Sequence, residues 1–153
     1  MKTVISIVEG DGEVASLPVL LRRIGEWKNP GEYIEISRPI RVRRDQFLNK
    51  DEIFSKSIQL AGLKSAQSDE GWILILLDAD DDCPVQLAQD IFDRAKSILP
   101  DQKISVVFAN REYEAWFLAA ARSLDGVRGF RIDENVPDPD SIRGAKEWLK
   151  KGM

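Results

Sequence analysis

The sequence predicts an α/β domain with a mainly parallel four-stranded sheet. Three observations predict it. Four apolar runs alternate with segments of helical periodicity, the order that builds a parallel sheet through crossover helices. One run, residues 72–77 (WILILL), is apolar at every position, as expected of a strand covered on both faces. The chain has 153 residues, enough for one domain with a real core.

The elements follow in order. Residues 3–8 (TVISIV) read as the first strand. The opening MKTVISIVEG lacks the small-residue cleavage site of a signal peptide. A helix is expected over residues 13–26, with Val14, Leu17, Leu20, Leu21 and Ile24 at helical spacing and Pro18 tolerated in its first turn. Residues 33–37 (YIEIS) alternate apolar and polar, which suits a second strand toward an edge. Phe47, Leu48, Ile53, Ile58 and Leu60 mark a helix over residues 45–65 that breaks once. After the strand at 72–77, Pro84 opens a helix over residues 84–98 from its favoured first position. Leu87, Ala88, Ile91, Ala95 and Ile98 form its apolar stripe. Residues 104–108 (ISVVF) are the fourth strand. A well-buried helix is expected over residues 111–124, apolar on most faces. Residues 125–141 are polar, with prolines and glycines, and read as a loop. Residues 142–153 suit a short amphipathic helix on Ile142, Ala145 and Leu149. The chain ends abruptly there, as a piece of a longer protein would. Residues 1–153 are read as a single domain.

Composition excludes several kinds of chemistry. The chain has no histidine and one cysteine, Cys83. Histidine-based triads, histidine-ligated zinc and thiolate zinc sites are therefore ruled out. Any metal must be held by oxygen, which selects magnesium, manganese or calcium. A net charge of −4 argues against a general nucleic-acid coat protein. No apolar run approaches the roughly 20 residues of a membrane span. The lone cysteine fits a reducing, cytoplasmic location.

The acidic residues are not scattered. In open parallel sheets, sites form outside the carboxyl ends of the strands. Glu9, Asp11 and Glu13 follow the first strand as EGDGE, and Asp78, Asp80, Asp81 and Asp82 follow the third. If those strands are neighbours, Glu9 comes close to Asp78 and Asp80. Carboxylates packed together repel one another unless protonated or neutralised by a cation. Magnesium is the economical solution, since it takes one or two carboxylates and keeps waters for a phosphate. Simpler roles compete for some of these acids. Asp81 or Asp82 suits the N-cap of the helix opening at Pro84, and Asp11 the N-cap of the first helix. EGDGE is not a P-loop, since it lacks the closing Gly-Lys-Ser/Thr. Arg38, Arg41, Arg43 and Arg44 follow the second strand, on the acids' edge if the sheet is parallel. Arg41, Arg43 and Arg44 are the candidate contacts to backbone phosphates, against the plainer reading of a solvated charged loop. Trp27, Trp72, Trp116 and Trp148 read as core or interface anchors.

Val8-Glu9-Gly10 after the first strand and Asp78-Ala79-Asp80 after the third, with Asp82 as a third acid, resemble the Toprim domain. The longer strings VEGDGE, LPVLLRRI, DADDD and REYEAWFL resemble a Toprim-like bacterial family of unknown function, over nearly the whole chain. That family looks related to the nucleases named for overcoming lysogenization defect (OLD). The resemblance implies a Rossmann-like three-layer fold. It also implies a metal-dependent nuclease using Mg2+ or Mn2+, with nucleic acid as substrate and an ATPase as partner. Glu9 is implied as metal ligand or general acid/base, Asp78 and Asp80 as catalytic metal ligands, and Asp82 as a further ligand. Glu112 or Glu114 is implied as an additional acid. Positions 112 and 114 lie about 200° apart on a helix, so one of the two points inward. Lys146 is implied as a charge-neutralising lysine, against the simpler reading of an exposed helix lysine.

A topoisomerase needs a nucleophilic tyrosine on another domain, and a primase needs template-handling modules. Phosphodiester hydrolysis is the Toprim chemistry left to a short chain. The alternative is a non-catalytic, metal- or partner-binding module of a larger assembly.

Overall fold

The computed structural model describes residues 2–110 together with Glu112, Tyr113 and Trp116. The fold is α/β, with a mainly parallel sheet of the Rossmann-like, three-layer kind. Its elements run β1 (Lys2–Val8), α1 (Asp11–Lys28), β2 (Ile34–Ile36), β3 (Ile40–Arg41), α2 (Arg44–Asn49), α3 (Asp51–Ala66), β4 (Glu70–Asp78), α4 (Pro84–Ile98) and β5 (Lys103–Ala109). The helix expected over 111–124, the loop over 125–141 and the helix over 142–153 lie outside the described residues, as do Glu114, Lys146 and Trp148.

The chain divides into two compact units. One comprises Met1–Leu77 with Ala88–Val107 and contains most of the sheet. The other comprises Asp78–Leu87 with the described residues from Phe108 onward.

In the larger unit the strand order is β2–β1–β4–β5, with the short β3 also on β1. All three pairings of β1 are parallel. Its residues Ile5, Ser6, Ile7 and Val8 are buried in succession, as a central strand covered on both faces requires. β4 behaves alike: Ile73, Ile75, Leu76 and Leu77 are all buried. β2 lies at the edge of the sheet, as its alternating sequence indicates. The right-handed crossover rule sets α1 on one face and α3 with α4 on the other. Arg94 ties α4 to α2 and α3, as the shared face requires. Its guanidinium donates to the Leu48 carbonyl (3.0 Å) and Asp51 (3.3 Å) and lies 4.0 Å from the centre of the Phe54 ring.

Three local features depart from the sequence reading. Helix α1 begins at Asp11, so Pro18 lies well past the first turn. There it removes the bond its N–H would give to the Val14 carbonyl. The second feature is β3. Lys2 pairs with Ile34, an offset of 32 residues, whereas Ile7 pairs with Ile40, an offset of 33. One extra residue is therefore absorbed between β2 and β3, around Pro39, which has no N–H to give to a ladder. The interruption hides β3 from a periodicity reading. The third concerns the tryptophans: Trp27 is 74% exposed, Trp72 40% and Trp116 39%, which removes the core half of their reading and leaves the interface half standing. The expected break in the second helical segment is present, at Lys50 between α2 and α3.

β4 starts hard against the end of α3. A Cβ on Gly71 would sit 2.8 Å from the Ser65 carbonyl oxygen and collide with its hydroxyl. That hydroxyl is buried and bonded to Gln102 Oε1 at 2.8 Å. Gly71→Ala is expected to destabilise the protein by about 1–3 kcal/mol, the cost of overpacking a tight contact. Urea unfolding checks this as a lowered midpoint at constant slope.

Candidate functional site

The sheet order reverses between β1 and β4. The chain runs outward from β1 to β2, then crosses back to β4 and continues to β5. Such a switch point, at the carboxyl ends of the strands, is where open α/β sheets place ligands. Glu9 follows β1 directly, and Asp78 is the last residue of β4.

In the larger unit, Glu9 is half-buried and leads into a tight strand-to-helix turn. Gly10 holds the N-cap position of α1 with extended backbone, and no side chain caps the helix. Asp11 is thus the first helical residue rather than the cap, and is exposed. Its carboxylate meets Arg41 Nη1 at 2.8 Å, and Arg41 Nε donates to the Glu9 carbonyl at 3.0 Å. Glu13 is 8% exposed, an unusual burial for a carboxylate. It folds back under Gly10, where a Cβ would clash with its carboxylate. Gly10 is required by that close approach. Glu13 is the site-edge residue that reading the sequence undervalued. The available signal was its spacing of four from the buried Leu17, which puts both on the inward face of α1.

In the smaller unit, Asp78 is half-buried and its Oδ1 accepts the backbone N–H of Tyr113 at 2.6 Å. Ala79 N–H donates to the Ala109 carbonyl at 2.9 Å. A turn then spans residues 79–82, closed by Asp82 N–H on the Ala79 carbonyl at 3.0 Å. Asp80 has φ of 53°, the one non-glycine positive φ among the described residues. Aspartate tolerates that region better than most side chains, and strained backbone of this kind gathers at functional turns. Asp80, Asp81 and Asp82 are exposed. The first bond of α4 runs from Leu87 N–H to the Cys83 carbonyl, so Cys83, not Asp81 or Asp82, holds the N-cap position. Glu112 is half-buried, beside Tyr113, whose buried ring packs 5.3 Å from that of Trp116.

The arginines divide. Arg41 is engaged with residues 9 and 11. Arg44 is buried at the start of α2, its Nη1 3.3 Å from Asp45. Arg43 and Arg38 are exposed.

In the smaller unit the donors Asp78, Asp80 and Asp82, being all oxygen, are of the type that suits a hard cation such as magnesium, and in the larger unit Glu9 is a donor of the same type. Among the described residues no three His, Cys, Asp or Glu side chains form a ready-made metal group. Magnesium requires fewer, since one or two carboxylates with waters suffice. Among the described residues no helix is long and apolar enough to cross a membrane.

A separate cleft of about 260 Å3 opens at the opposite, amino-terminal edge of the sheet, lined in part by Lys2, Glu32, Glu70, Trp72 and Lys103. Lys2 bonds Glu32 at 2.7 Å, and this bond, with the charges of Glu32 and Glu70, holds its ammonium above the ordinary lysine range. The favourable contribution is present at neutral pH and is lost only as pH rises through the raised value.

The chain belongs to the family described as a domain of unknown function (DUF4276), which matches it over residues 8–152. No curated protein and no solved structure matches it.

Proposed function

We propose that the chain is a magnesium- or manganese-dependent phosphodiester hydrolase, a Toprim-like nuclease acting on DNA or RNA. One observation carries the reading. Two parallel neighbouring strands at the reversal of the sheet run directly into acidic residues, Glu9 after β1 and Asp78 with Asp80 at the end of β4. The Val-Glu-Gly and Asp-Ala-Asp motifs at these points support a Toprim-like site, and the absence of histidine from the sequence leaves the work to carboxylates.

In this reading Asp78 and Asp80 hold the cation, with Asp82 as a further ligand. Bound there, magnesium supplies Lewis-acid stabilisation of the charge that develops on the phosphate. Glu9 ligates the metal or takes the proton of the attacking water. The Tyr113 N–H donates to Asp78 Oδ1 at 2.6 Å, which fixes the orientation of this carboxylate at the end of β4. Glu112 or Glu114 supplies an additional acid. Arg44 is buried and Arg41 is engaged with residues 9 and 11, so exposed Arg43 is the candidate of the three to meet a backbone phosphate. An ATPase partner and a cytoplasmic location complete the proposal.

A second reading has its own observation. The net charge of −4, unfavourable for holding a polyanion, favours a non-catalytic, metal- or partner-binding module. Turnover separates the two. The wild-type chain is incubated with supercoiled plasmid, single-stranded DNA and RNA, with magnesium, manganese or chelator. Cutting that requires the metal is the expected result. A folded, metal-binding protein that cuts none of the three substrates supports the module instead.

A further inference from the structure

Arg41 does something other than face solvent. It closes β3, whose register on β1 is displaced by one residue relative to β2. That displacement pairs Arg41 with Val8, the residue just before Glu9. From there its side chain reaches two acceptors on either side of Gly10. Nε donates to the Glu9 carbonyl at 3.0 Å, and Nη1 lies 2.8 Å from Asp11 Oδ1. The turn it spans has Gly10 at the N-cap of α1 and Gly12 in the first turn of the helix, and Gly10 has no side chain with which to cap it. Two glycines confer backbone freedom that something must remove if Glu9 is to point one way. A guanidinium can do this because its donors are fixed in one plane and engage two acceptors at once, which an ammonium cannot match.

We propose that Arg41 is a positioning residue: it clamps the strand-to-helix turn and so fixes the direction in which the Glu9 carboxylate leaves the backbone. The functional half of the proposal rests on the reading of Glu9 as part of a divalent-metal site.

The sign of the effect separates positioning from simple electrostatics. Removing a cation near a metal site strengthens metal binding by Coulomb's law. Removing a clamp weakens it. Manganese titration by calorimetry and amide hydrogen exchange are compared for wild type, Arg41→Ala and Arg41→Lys. Arg41→Ala is expected to weaken manganese binding by about 10–100-fold, the range for residues that orient a ligand. It also speeds exchange of the Val14 amide, which donates to the Gly10 carbonyl at 3.1 Å, relative to those of β1 and β4. Arg41→Lys keeps the charge but behaves more like the alanine variant than like wild type. Unchanged exchange overturns the clamp. Faster exchange with unchanged or tighter manganese binding overturns the positioning of Glu9. A wild-type protein that binds no manganese overturns the metal reading and the positioning role with it, while exchange still decides the clamp.

Discussion

Glu9→Gln and Asp80→Asn should each lower metal-dependent phosphodiester cleavage by at least about 100-fold, the scale of losing a general acid/base or a preorganised charge. Both substitutions keep side-chain size and remove only the charge. The thermal midpoint of each variant is measured beside its activity, so that a loss of folding is not read as a loss of catalysis. Asparagine is the right replacement at position 80, because the positive φ there is tolerated by Asn nearly as well as by Asp. Alanine would mix a backbone penalty into the result. Initial rates of plasmid nicking, alongside thermal unfolding of each variant, check the prediction.

The largest effect on stability is expected at Phe47. Its side chain is fully buried, and its ring lies 4.8 Å from that of Phe54 across the break between α2 and α3. Phe54 is in turn covered by the Arg94 guanidinium. Phe47 therefore couples both helical segments to α4. Phe47→Ala should cost about 3–5 kcal/mol, because the cavity adds to the lost transfer energy. For a domain of this size that is a large share of the total. The urea midpoint should fall sharply, and hydrogen exchange in α2 and α3 should accelerate together.

Much of this fold was legible because the strongest signals came from burial. β4 is apolar on consecutive residues and β1 nearly so, with Ser6 between Ile5 and Ile7, since helices cover both faces, and α4 announces itself with Pro84 and a regular stripe. β3 was not legible, because two residues beside a proline carry no period. The acids at the strand ends were visible as charge set against apolar runs. What the sequence could not display was how they differ from one another. Within EGDGE, Asp11 reads as a helix cap and Glu13 carries no assigned role, yet Asp11 is exposed and paired with Arg41 while Glu13 is buried. Arg41 looked like one member of a basic strip. Its contact to residue 9 spans 32 positions and depends on a one-residue shift of register, which no local pattern encodes.

The central claim is that the acids after β1 and β4 bind a divalent cation, and calorimetric titration with magnesium and manganese tests it most directly. Wild type is compared with the Asp78→Asn/Asp80→Asn double variant, in which the amide oxygen at position 78 can still accept the Tyr113 N–H. The account predicts saturable binding by wild type that the double variant loses. Equal affinity in both proteins, or no binding by folded wild type, would contradict it.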